Sequence, residues 1–507
     1  MADTIDALLR DHAGDRGDHD AVVDPAGRIS YRELDAQTLE LAAGLLEAGV
    51  NKGTRVGILA PNGVDWVRIA LAVTRIGAVL VPLSTLMPPP ELAAALRTAA
   101  VQHLIAVDEF RGRHYVRDLP PLHTLPALQA VHRTDALPTP AGAEGRHVAD
   151  VLARAVRPAD PLAILFTSGS SGAPKGVRHC HGNAIAAVRS GQAARCVDAD
   201  TRLYLPMPLF WVGGFAGGLI SALTAGATLI TEAVPDPAAT LRLLETERVT
   251  LFRGWPDQAQ ALARHRSAVQ ADLSALRPGS LEALLPPAER SRPGSRAKLF
   301  GMTESFGPYC GYPADTDMPE SAWGSCGKLF DGMTVRVVDT ETGTPVAAGT
   351  VGMIQIRGPH VMVGICRRER HDVFTPDGYY PTGDLGHLDA DGFLFYHGRA
   401  DDMFKVNGAS VYPSEVEQAL RTLDGVSAAY ATQVAGRVGA AVVCEQPRTA
   451  DDLRRAARRI LSSFKVPTVW KVLTSDEAVP RGATGKVDVA ALRDLLHAEP
   501  VTPPGGP

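Results

Sequence analysis

The sequence predicts an α/β protein, with a large N-terminal domain of mostly parallel sheets flanked by helices and a small C-terminal α+β domain. Three observations predict it. Strand and helix patterns alternate through the first hundred residues, an apolar strand runs into a Gly/Ser loop at residues 162–177, and the texture of the chain changes near Gly398. Such alternation implies parallel strands joined by crossover helices. A chain of 507 residues, 45% hydrophobic and 21% charged, has a globular composition and is too long for one core, so two or more domains are expected.

In chain order, residues 31–46 carry apolar side chains at helical spacing and stop before Gly49, and residues 55–60 (RVGILA) read as a strand. Asn62 is expected to cap a second helix that ends near Gly77. Residues 78–82 then give a short strand, and residues 91–100 return to helix. Residues 134–145, rich in Pro, Ala and Gly, read as a surface connection, and residues 499–507 as a disordered tail. The stretch 203–231 has no charge for 29 residues, yet Pro206, Pro208 and Gly226 interrupt it. A buried turn, helix and strand fit it better than a membrane span.

Composition excludes several classes. The 51 basic and 56 acidic residues are interspersed, with net charge −5, so neither a nucleic acid nor an anionic lipid surface is expected as partner. The six cysteines form no C-x-x-C pair, which argues against a zinc site or a disulfide framework. The first twenty residues are charged where a signal peptide needs an apolar core, so a cytoplasmic location is expected.

The chemistry is concentrated in LAILFTSGSSGAPKGV at residues 162–177. Glycine lets backbone amides turn toward a ligand, the hydroxyls of Thr167, Ser168, Ser170 and Ser171 add donors, and Lys175 supplies a compact cation, so the run reads as a phosphate cradle. It is not a Walker A loop, because Pro174 precedes Lys175 and Gly176 follows it. A flexible linker is the alternative, which the apolar lead-in opposes. Only eight lysines occur in the chain, and one of them closes this loop.

Five motifs in order, TSGSSGAPKGV at 167–177, FGMTES at 300–305, YPTGDLG at 380–386, GRADDMFKVNG at 398–408 and PRGATGKVD at 480–488, closely resemble the adenylate-forming superfamily of acyl-CoA synthetases, nonribosomal peptide adenylation domains and luciferases. The resemblance covers nearly the whole chain. It implies a ligase that joins a carboxylic acid to ATP as acyl-AMP and then to coenzyme A, with Mg²⁺ as cofactor. It also implies domains at 1–400 and 401–507, with Asp401 as the hinge. Thr167, Ser168, Gly169, Ser170, Ser171, Gly172 and Lys175 would then hold phosphates, and Phe300, Gly301, Met302 and Thr303 the nucleotide. Glu304 and Thr167 would hold the metal, Asp384 and Arg399 the ribose or phosphate, and Lys486, with Lys175 and Glu304, would serve catalysis. Lys405, Val406, Asn407, Gly408 and Lys465 would meet coenzyme A. Trp211, Phe215, Phe252, Gly254 and Trp255 would line or border an acyl pocket suited to a bulky apolar acid.

The chain departs from the family between Arg277 and Phe300. No Gly-Gly turn is visible there, and Pro278, Pro286, Pro287 and Pro293 discourage a central strand. Residues 432–443 lack the acidic and Gly-Glu pattern of their loop, and Trp211 stands where many relatives carry histidine. In outline the chain resembles specialised CoA ligases of bacterial secondary metabolism, such as those of the platensimycin and platencin pathways. The departures carry the expectation of a weak or lost adenylation half, with a separate enzyme supplying the acyl-adenylate, although Lys175, Glu304 and Lys486 are intact. Rival readings are a stand-alone adenylation enzyme that loads a carrier protein and a non-catalytic AMP-binding relative. A homodimer is the prior for a symmetric soluble enzyme.

Overall fold

The computed structural model describes residues 3–167, 175–402, 404–406, 409–461, 465–482 and 485–497. Two compact units divide the chain: residues 1–335, 356–380 and 392–394 form the first, and residues 336–355, 381–391 and 395–507 the second.

The first unit is α/β. A seven-stranded sheet runs in the order Gly364–Ile365, Lys175–Cys180, Pro161–Thr167, Val79–Pro82, Arg55–Leu59, His103–Ala106, Ala130–Arg133. It is parallel from Pro161–Thr167 onward, and its two remaining pairings are antiparallel. A five-stranded sheet, in the order Leu251–Phe252, Arg202–Tyr204, Thr228–Ile230, Asp20–Asp24, Gly27–Ser30, is parallel except for its last pair. Burial explains the continuous apolar runs: Val56, Ile58, Leu80 and Leu162 have no exposure, because helices cover parallel sheets on both faces.

Helix Tyr31–Glu47 forms where its periodicity predicts. Ser30 accepts from the Glu33 amide while the Glu33 carboxylate accepts from the Ser30 amide. The cap of helix Val64–Arg75 differs from the expectation. Asp24 Oδ2 accepts from the Val64 amide at 2.8 Å, so Asn62 is not the capping residue. Asn62 instead donates Nδ2 to the Met207 carbonyl and to Thr231 Oγ1, and accepts from the Leu209 amide. A residue that reads locally as a cap thus pins the turn leading to Trp211, because that turn has buried backbone groups to satisfy.

The uncharged stretch resolves into strand Arg202–Tyr204, helical segments Val212–Gly214, Phe215–Ile220 and Ser221–Ala225, and strand Thr228–Ile230. Phe215–Ile220 is a π-helical turn, a wider winding that often occurs at functional sites. No helix among the described residues is long and apolar enough to cross a membrane. No strand intervenes between Leu251–Phe252 and Phe300–Met302; residues 278–299 form turns and two single 3₁₀ turns.

The second unit packs helices Pro413–Arg421, Ala450–Ala457 and Val489–His497 with a sheet of Val426–Val434, Arg437–Cys444 and Val469–Leu473. Its core includes Val411, Val416, Leu420, Ala440 and Val442. A four-stranded sheet, Thr334–Val338, Gly352–Arg357, Tyr380–Leu388 and Leu394–Arg399, lies for the most part in this unit.

Candidate active site

Strands Pro161–Thr167 and Lys175–Cys180 form an antiparallel hairpin whose register sets Lys175 opposite Thr167. The loop between them holds Ser168, Gly169, Ser170, Ser171 and Gly172, which lie outside the described residues. The hairpin therefore brings one hydroxyl and one partly exposed ammonium to the two feet of that loop.

The same strand reaches the second motif. His179, four residues after Lys175, bonds through Nε2 to the Thr303 carbonyl at 2.8 Å, while its Nδ1 accepts from Asn183 Nδ2 at 2.8 Å. Those partners require Nε2 to carry the proton. Burial pushes the imidazole down to about 4, so the ring is neutral. Phe306 stacks edge-on against it with centroids 4.9 Å apart.

Thr303–Ser305 is a single 3₁₀ turn that follows strand Phe300–Met302 and packs against strand Pro161–Thr167. Glu304 is 6% exposed, and its Oε1 accepts from the Tyr380 hydroxyl at 3.1 Å. The Glu304 carbonyl accepts from the Met362 amide. Ser305 Oγ donates to the carbonyls of Met302 and Gly307, closing the turn from both sides. At Gly301 a side chain would overlap the Gly307 carbonyl, so only glycine fits between these paired strands. Phe300 is half-buried and lies edge-on to Tyr309.

In the second unit, Asp384 is 7% exposed and accepts from Arg399 Nη1 at 3.1 Å; the same nitrogen donates to the Thr382 carbonyl at 2.8 Å. Gly383 between them has φ +75°, and a side chain there would crowd Arg399 Nη2. Lys486 is exposed, on a turn in which the Gly482 amide donates to the Lys486 carbonyl. Lys465 pairs with Glu415. Val406 belongs to this unit's apolar core, across the hairpin from Ala409. Asn407 and Gly408 lie outside the described residues, as do the side chains of Asp401 and Lys405.

The acyl-pocket candidates separate into two groups. Trp211 and Trp255 meet edge-to-face with centroids 5.8 Å apart and retain exposure, and Gly254, at φ +155°, directly precedes Trp255. Phe215 and Phe252 are fully buried in core packing. The first lies against Trp66 and Phe306, the second against Tyr204.

Residues 9–366 match the AMP-binding enzyme family. The chain belongs to that family. The AMP-binding enzymes it resembles include a 3-[(3aS,4S,7aS)-7a-methyl-1,5-dioxo-octahydro-1H-inden-4-yl]propanoyl:CoA ligase of Mycobacterium tuberculosis, 32% identical over 97% of this chain and 99% of the relative. A feruloyl-CoA synthase of Amycolatopsis is 32% identical over 90% of this chain and 92% of its own length. Among solved structures, the anthranilate CoA ligase AuaEII in complex with anthranoyl-AMP superposes with a TM-score of 0.80, covering 97% of both chains at 22% identity, which is a likeness of fold.

Within this AMP-binding enzyme, sequence reasoning missed three contributors to the site. His179 and Asn183 stand in RHCHGN just beyond the Gly/Ser loop, and their i, i+4 spacing was the available signal. Tyr380 opens the YPTGDLG motif, but its reach to Glu304 is tertiary and has no local signature.

Proposed function

We propose that the chain is an acid–thiol ligase that activates a carboxylic acid as acyl-AMP and transfers the acyl group to coenzyme A. The observation that carries this reading is the His179 bond to Thr303, which couples the strand bearing Lys175 to the turn bearing Glu304. A phosphoryl-transfer site needs cations and donors held where charge develops, and this bond ties the elements that carry the two candidate groups to each other.

In the first step a carboxylate oxygen attacks the α-phosphorus of ATP, and the bond to pyrophosphate breaks. Lys175 and residues 167–172 bind the β- and γ-phosphates, Thr303 donates to the α-phosphate, Phe300 to Met302 flank the adenine, and Lys486 neutralises charge between carboxylate and phosphate. Asp384, oriented by Arg399, accepts from the ribose hydroxyls. Glu304 and Thr167 offer one carboxylate and one hydroxyl, a sparse donor set that suits Mg²⁺, which completes its shell with phosphate oxygens and water. The ion would supply charge neutralisation on the phosphates. In the second step the thiol of coenzyme A attacks the acyl carbonyl, the C–O bond to AMP breaks and the thiol proton leaves to solvent. Lys405, Val406, Asn407, Gly408 and Lys465 are the proposed coenzyme A contacts, and Asp401 the hinge between the two steps. The ring-bearing acids in the names of the relatives, together with Trp211 and Trp255, support a bulky ring-bearing acid.

A second reading is favoured by the lack of a strand in residues 278–299: an enzyme that takes ready-made acyl-adenylate from a separate adenylating enzyme. Both are tested by thioester formation from acids plus Mg·ATP against their synthetic acyl-adenylates, with AMP and acyl-CoA detected by mass. Product from both arms supports the complete ligase, and product from adenylates alone supports the second reading. Product with neither, while AMP still binds, overturns both in favour of a carrier-protein acceptor or a non-catalytic role.

A further inference from the structure

The chain buries two arginines in its first unit and treats them differently. Arg75, 1% exposed, is satisfied by the carboxylates of Asp6 and Asp35 and by Thr38 Oγ1. Arg195, 4% exposed, donates Nη1 to the Val188 carbonyl at 3.1 Å, and its Nη2 is buried without a partner among the described residues. The charged group that faces it is another cation, Arg253, whose own Nη2 bonds the Arg195 carbonyl at 3.0 Å and whose acidic neighbour is Asp315. His360, whose imidazole burial pushes down to about 4 and so keeps neutral near pH 7, also faces it and supplies no negative charge. A buried guanidinium without a counter-charge costs several kcal/mol, a cost that a bound anionic group would offset.

The surroundings identify that ligand. A Cβ placed on Gly307 would lie 4.0 Å from Arg195 Nη2 and 3.8 Å from the Ala216 Cβ. Gly307 is three residues beyond Glu304, at most about 10 Å of extended chain from it. Ala216 sits on the π-helical turn that follows Trp211, and Gly217 beside it faces open space. Arg253 leads through Gly254 into Trp255. The unpaired nitrogen therefore stands beside Ala216 and Gly307, on elements that follow Trp211 and Glu304 in the chain. Resting on the ligase reading, we propose that Arg195 recognises a second carboxylate at the far end of the acyl group, so that the preferred acid is a ring-bearing dicarboxylic acid.

The test compares isosteric pairs: terephthalate with 4-methylbenzoate, 4-carboxycinnamate with 4-methylcinnamate, and adipate with hexanoate, plus 4-acetylbenzoate as a neutral acceptor. Two readouts are taken, kcat/KM for thioester formation and acid binding with AMP present by quenching of tryptophan fluorescence. The proposal expects the diacid to exceed its partner by about tenfold or more in at least one pair. Arg195→Met should erase that preference and leave the KM for ATP and for CoA unchanged, while Arg195→Lys retains part of it. Because the charge is uncompensated, Arg195→Met is also expected to melt no lower than wild type without ligand. Equal use and equal binding within every pair, a preference that survives in Arg195→Met, or equal recognition of 4-acetylbenzoate and terephthalate overturns the proposal. Preferential diacid binding without thioester sinks the ligase reading and leaves Arg195 assigned; thioester from monoacids without preference does the reverse. Should Arg195→Met not fold, the wild-type pairs and Arg195→Lys still decide.

Discussion

Tyr380 and Glu304, 76 positions apart in the chain, share a hydrogen bond of 3.1 Å from the phenol hydroxyl to Oε1. The bond takes up one oxygen of a carboxylate that is otherwise nearly shut off from water, and so sets the direction in which the other oxygen points. A hydrogen bond to a charged acceptor contributes about 1.5–3 kcal/mol. Tyr380→Phe is therefore expected to lower pyrophosphate exchange by about tenfold and to raise the Mg²⁺ concentration needed for half-maximal rate. An unchanged Mg²⁺ dependence would remove Glu304 from the metal site.

Burial of three histidines makes the fold acid-sensitive. His179, His181 and His360 are each pushed down to about 4, chiefly by loss of solvent. Their unfolded value is near 6.5, so between about pH 4 and 6.5 the unfolded chain binds more protons than the native one. Stability is then fully present above pH 6.5 and falls as pH drops toward 4, with each histidine changing the folding equilibrium by about tenfold per pH unit within that window. Melting temperature measured from pH 8 to 4.5 should fall through this range, and His181→Gln, which removes one titrating group, should flatten the slope. A flat profile would contradict the burial of these rings.

Local physics explains what the sequence disclosed and what it withheld. Periodicity marks the helix Tyr31–Glu47 because the same apolar face that gives the signal is the face packed against the core. The Gly/Ser loop and its lysine stand out in the sequence because small residues and a cation in a row are what a phosphate site would need, and the register sets Lys175 opposite Thr167 at its feet. Phe215 and Phe252 show the limit: an aromatic beside a pocket and an aromatic inside a core have the same local signature, and both here are core. Asn62 failed as a cap for a related reason. Its side chain answers to Met207, Leu209 and Thr231, all more than a hundred residues away. Arg195 was invisible in the sequence because the missing counter-charge is a property of its surroundings.

Gly301 carries a steric constraint that activity should report. Its partner across the strand pair is Pro308, and a methyl group would strike the Gly307 carbonyl. Gly301→Ala must push the two strands apart next to Thr303, at a cost of about 1–3 kcal/mol. The expected outcome is a lower melting temperature together with a larger loss in KM for ATP than in the rate of thioester formation from supplied acyl-adenylate. A variant as stable and as active as wild type would mean that strands Phe300–Met302 and Gly307–Gly311 do not approach as closely as their register requires.

Lys486 separates chemistry from folding because it does nothing visible for the fold. It is exposed, and its turn is closed by backbone bonds between Gly482, Gly485 and Lys486 that a truncated side chain leaves intact. Lys486→Ala is therefore expected to melt within about 0.5 kcal/mol of wild type. If the ammonium neutralises charge between the attacking carboxylate and the α-phosphate, its removal costs the adenylation step about a hundredfold or more, the range for one donor aimed at developing charge. The second step breaks a C–O bond at the acyl carbonyl and does not need that cation, so CoA thioester formation from synthetic acyl-adenylate should stay within about twofold. Equal losses in both steps would assign Lys486 to a group common to them, and no loss in either would make it a solvated surface lysine.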